Sequence, residues 1–236
     1  TPPEGASAPA AVSEAPTDVS AFVAWLARTA TRDLEIAADT NRTSADEART
    51  LAAAALGRYA SAVTIAQVYG IDLDAGLDQA LLINDRVNAA SRQGVQTWSI
   101  DLFDAPAISA SFAPSGKDLA SSQELSSAVA TWDCTASTLP QAQVSAGTLT
   151  DAYAVSGELL TRADTALRAG AADTRTPRCT LGFLDAPSLA SNLLAADSAM
   201  LASNSSDVRS AGASAALADI QQWAPRTSLP ALIGTR

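Results

Sequence analysis

Two cysteines, Cys134 in "ATWDCTASTLP" and Cys179 in "TPRCTLGFLDAP", are the only ones in this 236-residue chain, and they stand 45 positions apart. Spacing limits what they can do. A dithiol redox centre sets its cysteines in a C-x-x-C turn, and a closed metal site needs about four ligands drawn from Cys, His and acids. Neither pattern is present. A structural disulfide between Cys134 and Cys179 is therefore expected, with two separate buried thiols as the competing reading. Closing a loop of that length would stabilise the fold by about 4 kcal/mol in the chain-entropy model. Because such a bond persists in an oxidising compartment, the chain is expected outside the cytosol, secreted or anchored at the cell envelope.

The chain has no histidine. That absence excludes Ser-His triads, Cys-His dyads, histidine-bearing di-iron bundles and two-histidine zinc proteases, all of which need imidazole as base or ligand. Carboxylates are what remain. Asp101 and Asp104 stand beside Trp98 and Phe103, and Asp133 adjoins Trp132. Paired acids next to aromatics suit glycoside hydrolysis, but the same residues suit helix caps and packing equally well. Asp72, Asp74 and Asp78 fail as a calcium loop: counted from Asp72, the fifth position is Gly76 and the twelfth Ile83. Glu35, Glu47 and Glu158 lack the i+3 acid of a carboxylate di-metal site, and no GxGxxG or GxxxxGK phosphate loop occurs. No catalytic residue, metal or cofactor is expected. Trp98, Phe103, Phe112 and Trp132 are the candidates for a ligand or partner surface.

The elements that must position these residues are helical. Fifty-four residues are alanine, the strongest helix former, while aromatics make up only 5%. Small side chains let helices approach closely, whereas a sheet would need β-branched and aromatic residues. The pattern predicts an all-α, up-and-down array of six to seven helices, at about 19–39, 44–69, 73–91, 122–136, 141–169, 187–202 and 206–223.

Local signals set those bounds. Ser44-Ala-Asp-Glu47 and Ser121-Ser-Gln-Glu124 read as capping boxes, and Gly70 and Gly170 as C-terminal stops. Pro140 is expected to close one segment. Apolar stripes run through Phe22, Leu26, Ala30 and Leu34; through Ala52, Leu56, Tyr59, Val63 and Ala66; and through Leu125, Val129 and Trp132. The next helix is expected to present Leu149, Tyr153, Leu160, Ala163 and Leu167. Leu189, Leu193, Ala196 and Met200 mark the one after, and Val208, Ala216, Ile220 and Trp223 the last. "FDAPAISAS" and "FLDAPSLAS" share a D-A-P helix start, which needs no duplication to explain it. Leu229, Leu232 and Ile233 suggest a tail that docks.

Residues 1–17, with Pro2, Pro3, Pro9 and Pro16 among small polar residues, read as an extended tether, and 18–236 as one helical domain. The start carries neither a basic nor an apolar signal region, so a signal peptide is expected to have been removed upstream, and a lipid anchor there would be compatible. No run of 18 apolar residues occurs, so no transmembrane segment is expected. The net charge of −10, with one lysine (Lys117) and 14 separated arginines, argues against nucleic-acid binding. The expectation is a non-catalytic, exported interaction module that binds another envelope or membrane-associated protein, such as an accessory subunit of a membrane complex. A carrier of an apolar small molecule or lipid between the helices is the first alternative, and a carboxylate hydrolase acting on sugars the second.

Overall fold

The computed structural model describes residues 16–73, 112, 114, 116–146, 149–179, 185–229 and 233–234. Among them there is no strand; six α-helices and one short 3₁₀ turn carry the fold. The helices are α1 (Val19–Ala38), α2 (Ala45–Tyr69), α3 (Gln123–Ala146), α4 (Leu149–Arg168), α5 (Ala186–Met200) and α6 (Ser206–Trp223). The expected helix over 73–91 and the tether lie outside the described residues, save for Leu73, Pro16 and Thr17.

Caps set the ends. The Asp18 carboxylate accepts from the Ala21 amide at 2.8 Å, opening α1. At α2 the expected box is complete: Ser44 Oγ accepts from the Glu47 amide, and Glu47 accepts from the Ser44 amide at 2.9 Å. Gly70 ends α2 in the left-handed region at φ 62°, which glycine enters without steric cost. Asp185 accepts from the Ser188 amide at 2.9 Å, with Pro187 in the first turn of α5.

Two boundaries differ from the sequence reading. Ser122, not Ser121, caps α3: its hydroxyl accepts from the Leu125 amide at 3.1 Å, while Leu119–Ser121 forms the 3₁₀ turn. Nor does Pro140 end that helix; α3 continues through it to Ala146. Proline removes one hydrogen bond there, yet the neighbouring Leu139 is wholly buried, and packing holds the helix where propensity would stop it. Cys134 consequently lies well inside α3 rather than near its end.

Short connections make antiparallel neighbours of α1 and α2, of α3 and α4, and of α5 and α6. The α5–α6 hairpin sits between the other two, α5 against α3 and α6 against both α1 and α2. Two apolar clusters result. One joins Val23, Leu34, Leu56 and Tyr59 to Leu194, Leu217 and Ile220; the other joins Leu125, Val129, Trp132 and Leu159 to Leu189, Leu193 and Trp223. Because α6 serves both clusters, its middle is Ala-Gly-Ala-Ser-Ala-Ala, and a Cβ on Gly212 would come within 2.8 Å of the Asp197 carbonyl on α5.

Two buried links hold the layers. Arg209 of α6 is 2% exposed and donates to the carbonyls of Ser203, of Ala37 at 3.1 Å and of Thr43 at 3.0 Å, tying the α1–α2 turn to the α5–α6 turn. The disulfide Cys134–Cys179, with its Cα atoms 5.2 Å apart, pins the segment between α4 and α5 onto α3. The tail docks as its apolar residues suggest: Ile233 is buried, and its amide donates to the Ala53 carbonyl.

Candidate functional site

Two places stand out, an aromatic end on the outside and a charged cluster on the inside. The first comes from α1. Leu26, Ala30 and Leu34 of its expected stripe are buried, but Phe22 is 40% exposed. Phe22 stacks on Trp25, one turn along, with ring centroids 6.2 Å apart, and Val19 continues the exposed line. The ion pair between Arg58 and Asp33, at 2.9 Å, fixes the register of the α1–α2 hairpin. Equal rise per residue along two antiparallel helices then brings Phe22 level with Tyr69. Tyr69 is 64% exposed and Val68 beside it is more so. Five large apolar side chains thus lie exposed at the same end of one hairpin.

The second place lies among α3, α4, α5 and α6. Trp132 is wholly buried, and its Nε1–H donates to Asp197 Oδ1 at 2.9 Å. Arg162 donates to Asp219 Oδ1 at 2.7 Å, stands 3.9 Å from Asp197 Oδ2, and lies over the Trp132 ring at 5.4 Å from its centroid. Phe112 meets the same indole edge-on at 5.2 Å. Burial pushes the Asp197 carboxyl well above the ordinary carboxylate range; the neighbouring Asp219 adds to this, and Arg162 only partly offsets it. Burial alone would lower Arg162, but the Asp219 and Asp197 carboxylates outweigh it and hold it above its usual value.

This cluster explains a further departure from the sequence reading. Turning Arg162 inward rotates α4, so its buried side carries Ala152, Val155, Leu159, Ala163 and Ala166, while Tyr153 and Leu160 face solvent. Arg162, Asp197 and Asp219 were invisible to pattern reading because polar residues are assigned outward by default. The one available signal was Asp197, the single charged residue of α5.

Of the residues singled out from sequence, Phe112 and Trp132 are brought together, but Trp132 has no exposed surface and anchors the core. Trp98, Phe103, Asp101 and Asp104 lie outside the described residues. Asp133, next to Trp132 in sequence, points elsewhere on α3 and pairs with Arg175 at 3.2 Å; Arg175 also grips Asp173 at 2.8 Å. That grip holds the Asp173 carboxyl down at about 2.

Two further features bear on ligands. An open groove of about 710 Å³ runs between α2 and residues 224–229, lined by Gly57, Ser61, Thr64, Ile65, Thr227 and Leu229 among others. By length and composition α2 could cross a membrane, though 56% of its apolar window is buried within the fold. Compared with protein-family models, curated proteins and solved structures, the chain matches none.

Proposed function

We propose that this chain is a non-catalytic protein-interaction module of an extracytoplasmic compartment, docking another envelope or membrane-associated protein through the aromatic end of the α1–α2 hairpin. The observation that carries this is the stacked, exposed Phe22–Trp25 pair level with Tyr69. The solvent side of a helix gains nothing from two large rings, and Trp and Tyr are the residues that dominate binding energy at protein interfaces. The Cys134–Cys179 bond supports the compartment, since reducing cytosol would open it.

The test compares native extracts of the wild type with the double variant Phe22→Ser/Trp25→Ser, by size-exclusion chromatography with light scattering. A complex larger than the monomer is expected for the wild type and its loss for the variant, with the melting temperature unchanged. A wild type that elutes only as monomer refutes the reading.

A second reading, a carrier of an apolar small molecule, draws on the groove beside α2, whose volume lies within the range of ordinary ligand sites. Its hydroxyl-bearing wall of Ser61, Thr64, Thr227 and Ser228 suits an amphipathic ligand better than a hydrocarbon. Native mass spectrometry of protein purified from its host would show a bound mass if this reading holds.

A further inference from the structure

The buried cluster carries a charge imbalance. Asp197 and Asp219 bring two carboxylates, Arg162 brings one cation, and all three are at least nine-tenths buried. Their partners do not use every atom: Asp197 Oδ2 and Asp219 Oδ2 are acceptors with no hydrogen-bond donor, and both are shut away from solvent. Both carboxylates converge on the one guanidinium, Asp219 Oδ1 at 2.7 Å and Asp197 Oδ2 at 3.9 Å. Two ionised carboxylates so placed would repel in a medium that screens poorly, and an uncompensated buried charge is strongly destabilising. A single proton removes the imbalance, because it leaves one anion for one guanidinium.

We infer that the folded core keeps one proton on Asp197, and that Asp197, Arg162 and Asp219 form a pH-sensitive lock joining α4, α5 and α6, with Trp132 of α3 fixing the orientation of Asp197. The groups that reach Asp197 are Arg162 of α4, Asp219 of α6 and the neutral indole N–H of Trp132 on α3. Glu158, exposed on α4, acts on Arg162 rather than on the pair. The other charged residue nearby in sequence on α3, Asp133, is engaged with Arg175. On α2, which touches α5 from the other side, the charged residues are Asp46, Glu47, Arg49 and Arg58, the last paired with Asp33 of α1. While the proton is held, three helices are cross-linked through the core. When it leaves, like charges face each other there and the α3–α6 half loosens.

The sign follows from linkage. The unfolded chain gives up this proton near the ordinary aspartate value, about 3.9. The folded chain keeps it to a higher pH. The stabilisation is therefore complete below about pH 4 and declines as pH rises through the folded value, by up to about tenfold in the folding equilibrium constant per pH unit for one proton.

Urea unfolding of the full chain across pH 5 to 9 tests this, beside Asp197→Asn. The amide retains an acceptor for Trp132 and cannot ionise, so the variant should lose most of the wild type's decline with pH and be the more stable form at the alkaline end. Infrared difference spectra of the wild type at neutral pH should also show a protonated-carboxyl stretch, and this readout stands even if the variant fails to fold. A wild type without that band, or a variant that folds and shows the same decline as the wild type, overturns the proposal.

Discussion

Replacing Arg209 by methionine isolates the joint between the first and last hairpins. The guanidinium donates to three main-chain carbonyls that no helix satisfies: Ala37 in the last turn of α1, Thr43 before α2, and Ser203 between α5 and α6. It also reaches Thr43 Oγ1 at 3.0 Å. Methionine fills similar space and donates nothing. Thr43 is half-buried and water can replace its partner, but Ala37 and Ser203 are buried. Ser203 loses its one donor, at about 1–3 kcal/mol, while Ala37 keeps a share of the Thr43 hydroxyl; less what is regained by no longer desolvating a cation, the net loss is roughly 2 kcal/mol. For a chain of this size that lowers the melting temperature by roughly 4–8 °C. Arg209→Lys should fall between, since one ammonium cannot span carbonyls on two separate turns. Thermal unfolding followed by circular dichroism gives the magnitude, and hydrogen exchange in the 39–44 turn gives the location. A loss below about 1 kcal/mol with unchanged exchange there would show that Arg209 occupies the joint without holding it.

Three other outcomes are expected. Gly212→Ala drives a methyl against Met200 Cβ at 2.7 Å and the Asp197 carbonyl at 2.8 Å, so it should cost about 1–3 kcal/mol despite alanine's better helix propensity; urea titration measures it. Reducing Cys134–Cys179, or replacing both cysteines by alanine, should cost about 4 kcal/mol and free the segment between α4 and α5 for proteolysis, read as new cleavage between residues 171 and 179. On the acid side, Asp173 is held at about 2 by hydrogen bonds from Arg175, while hydrogen bonds at the caps hold Glu47 and Asp185 below their ordinary values. These groups stabilise above the ordinary carboxylate range, and their contribution is lost as pH falls from about 4 towards 2; unfolding in that window should be weaker in Asp173→Asn and in high salt.

Helix existence was legible because it rests on short-range chemistry. Ser44 with Glu47, Gly70, and Asp185 with Pro187 each satisfy or terminate backbone groups within one turn, and the stripe from Ala52 to Ala66 needs only a period of 3.6. The disulfide was legible by elimination, since two cysteines with no histidine leave little else. What failed did so where the deciding partner lies far along the chain. Pro140 reads as a stop until packing at Leu139 is known. Tyr153 and Leu160 read as core until Arg162 turns inward to Asp219, 57 residues away. Phe22 reads as buried because an apolar residue four positions before Leu26 ordinarily is.

These errors run in a consistent direction. A pattern reader assigns every large apolar side chain inward and every charge outward, and so misses both an exposed aromatic pair and a buried charged cluster. Phe22 and Trp25 on the outside, and Arg162, Asp197 and Asp219 on the inside, break that assignment in opposite senses. Each arrangement carries a free-energy cost to the isolated fold, through exposed rings in one case and desolvated carboxylates in the other. A chain selected for stability alone would exchange them at little structural expense, serine for Phe22 and leucine for the triad. Their presence is therefore the physical reason to look for a partner at the hairpin end and a proton in the core.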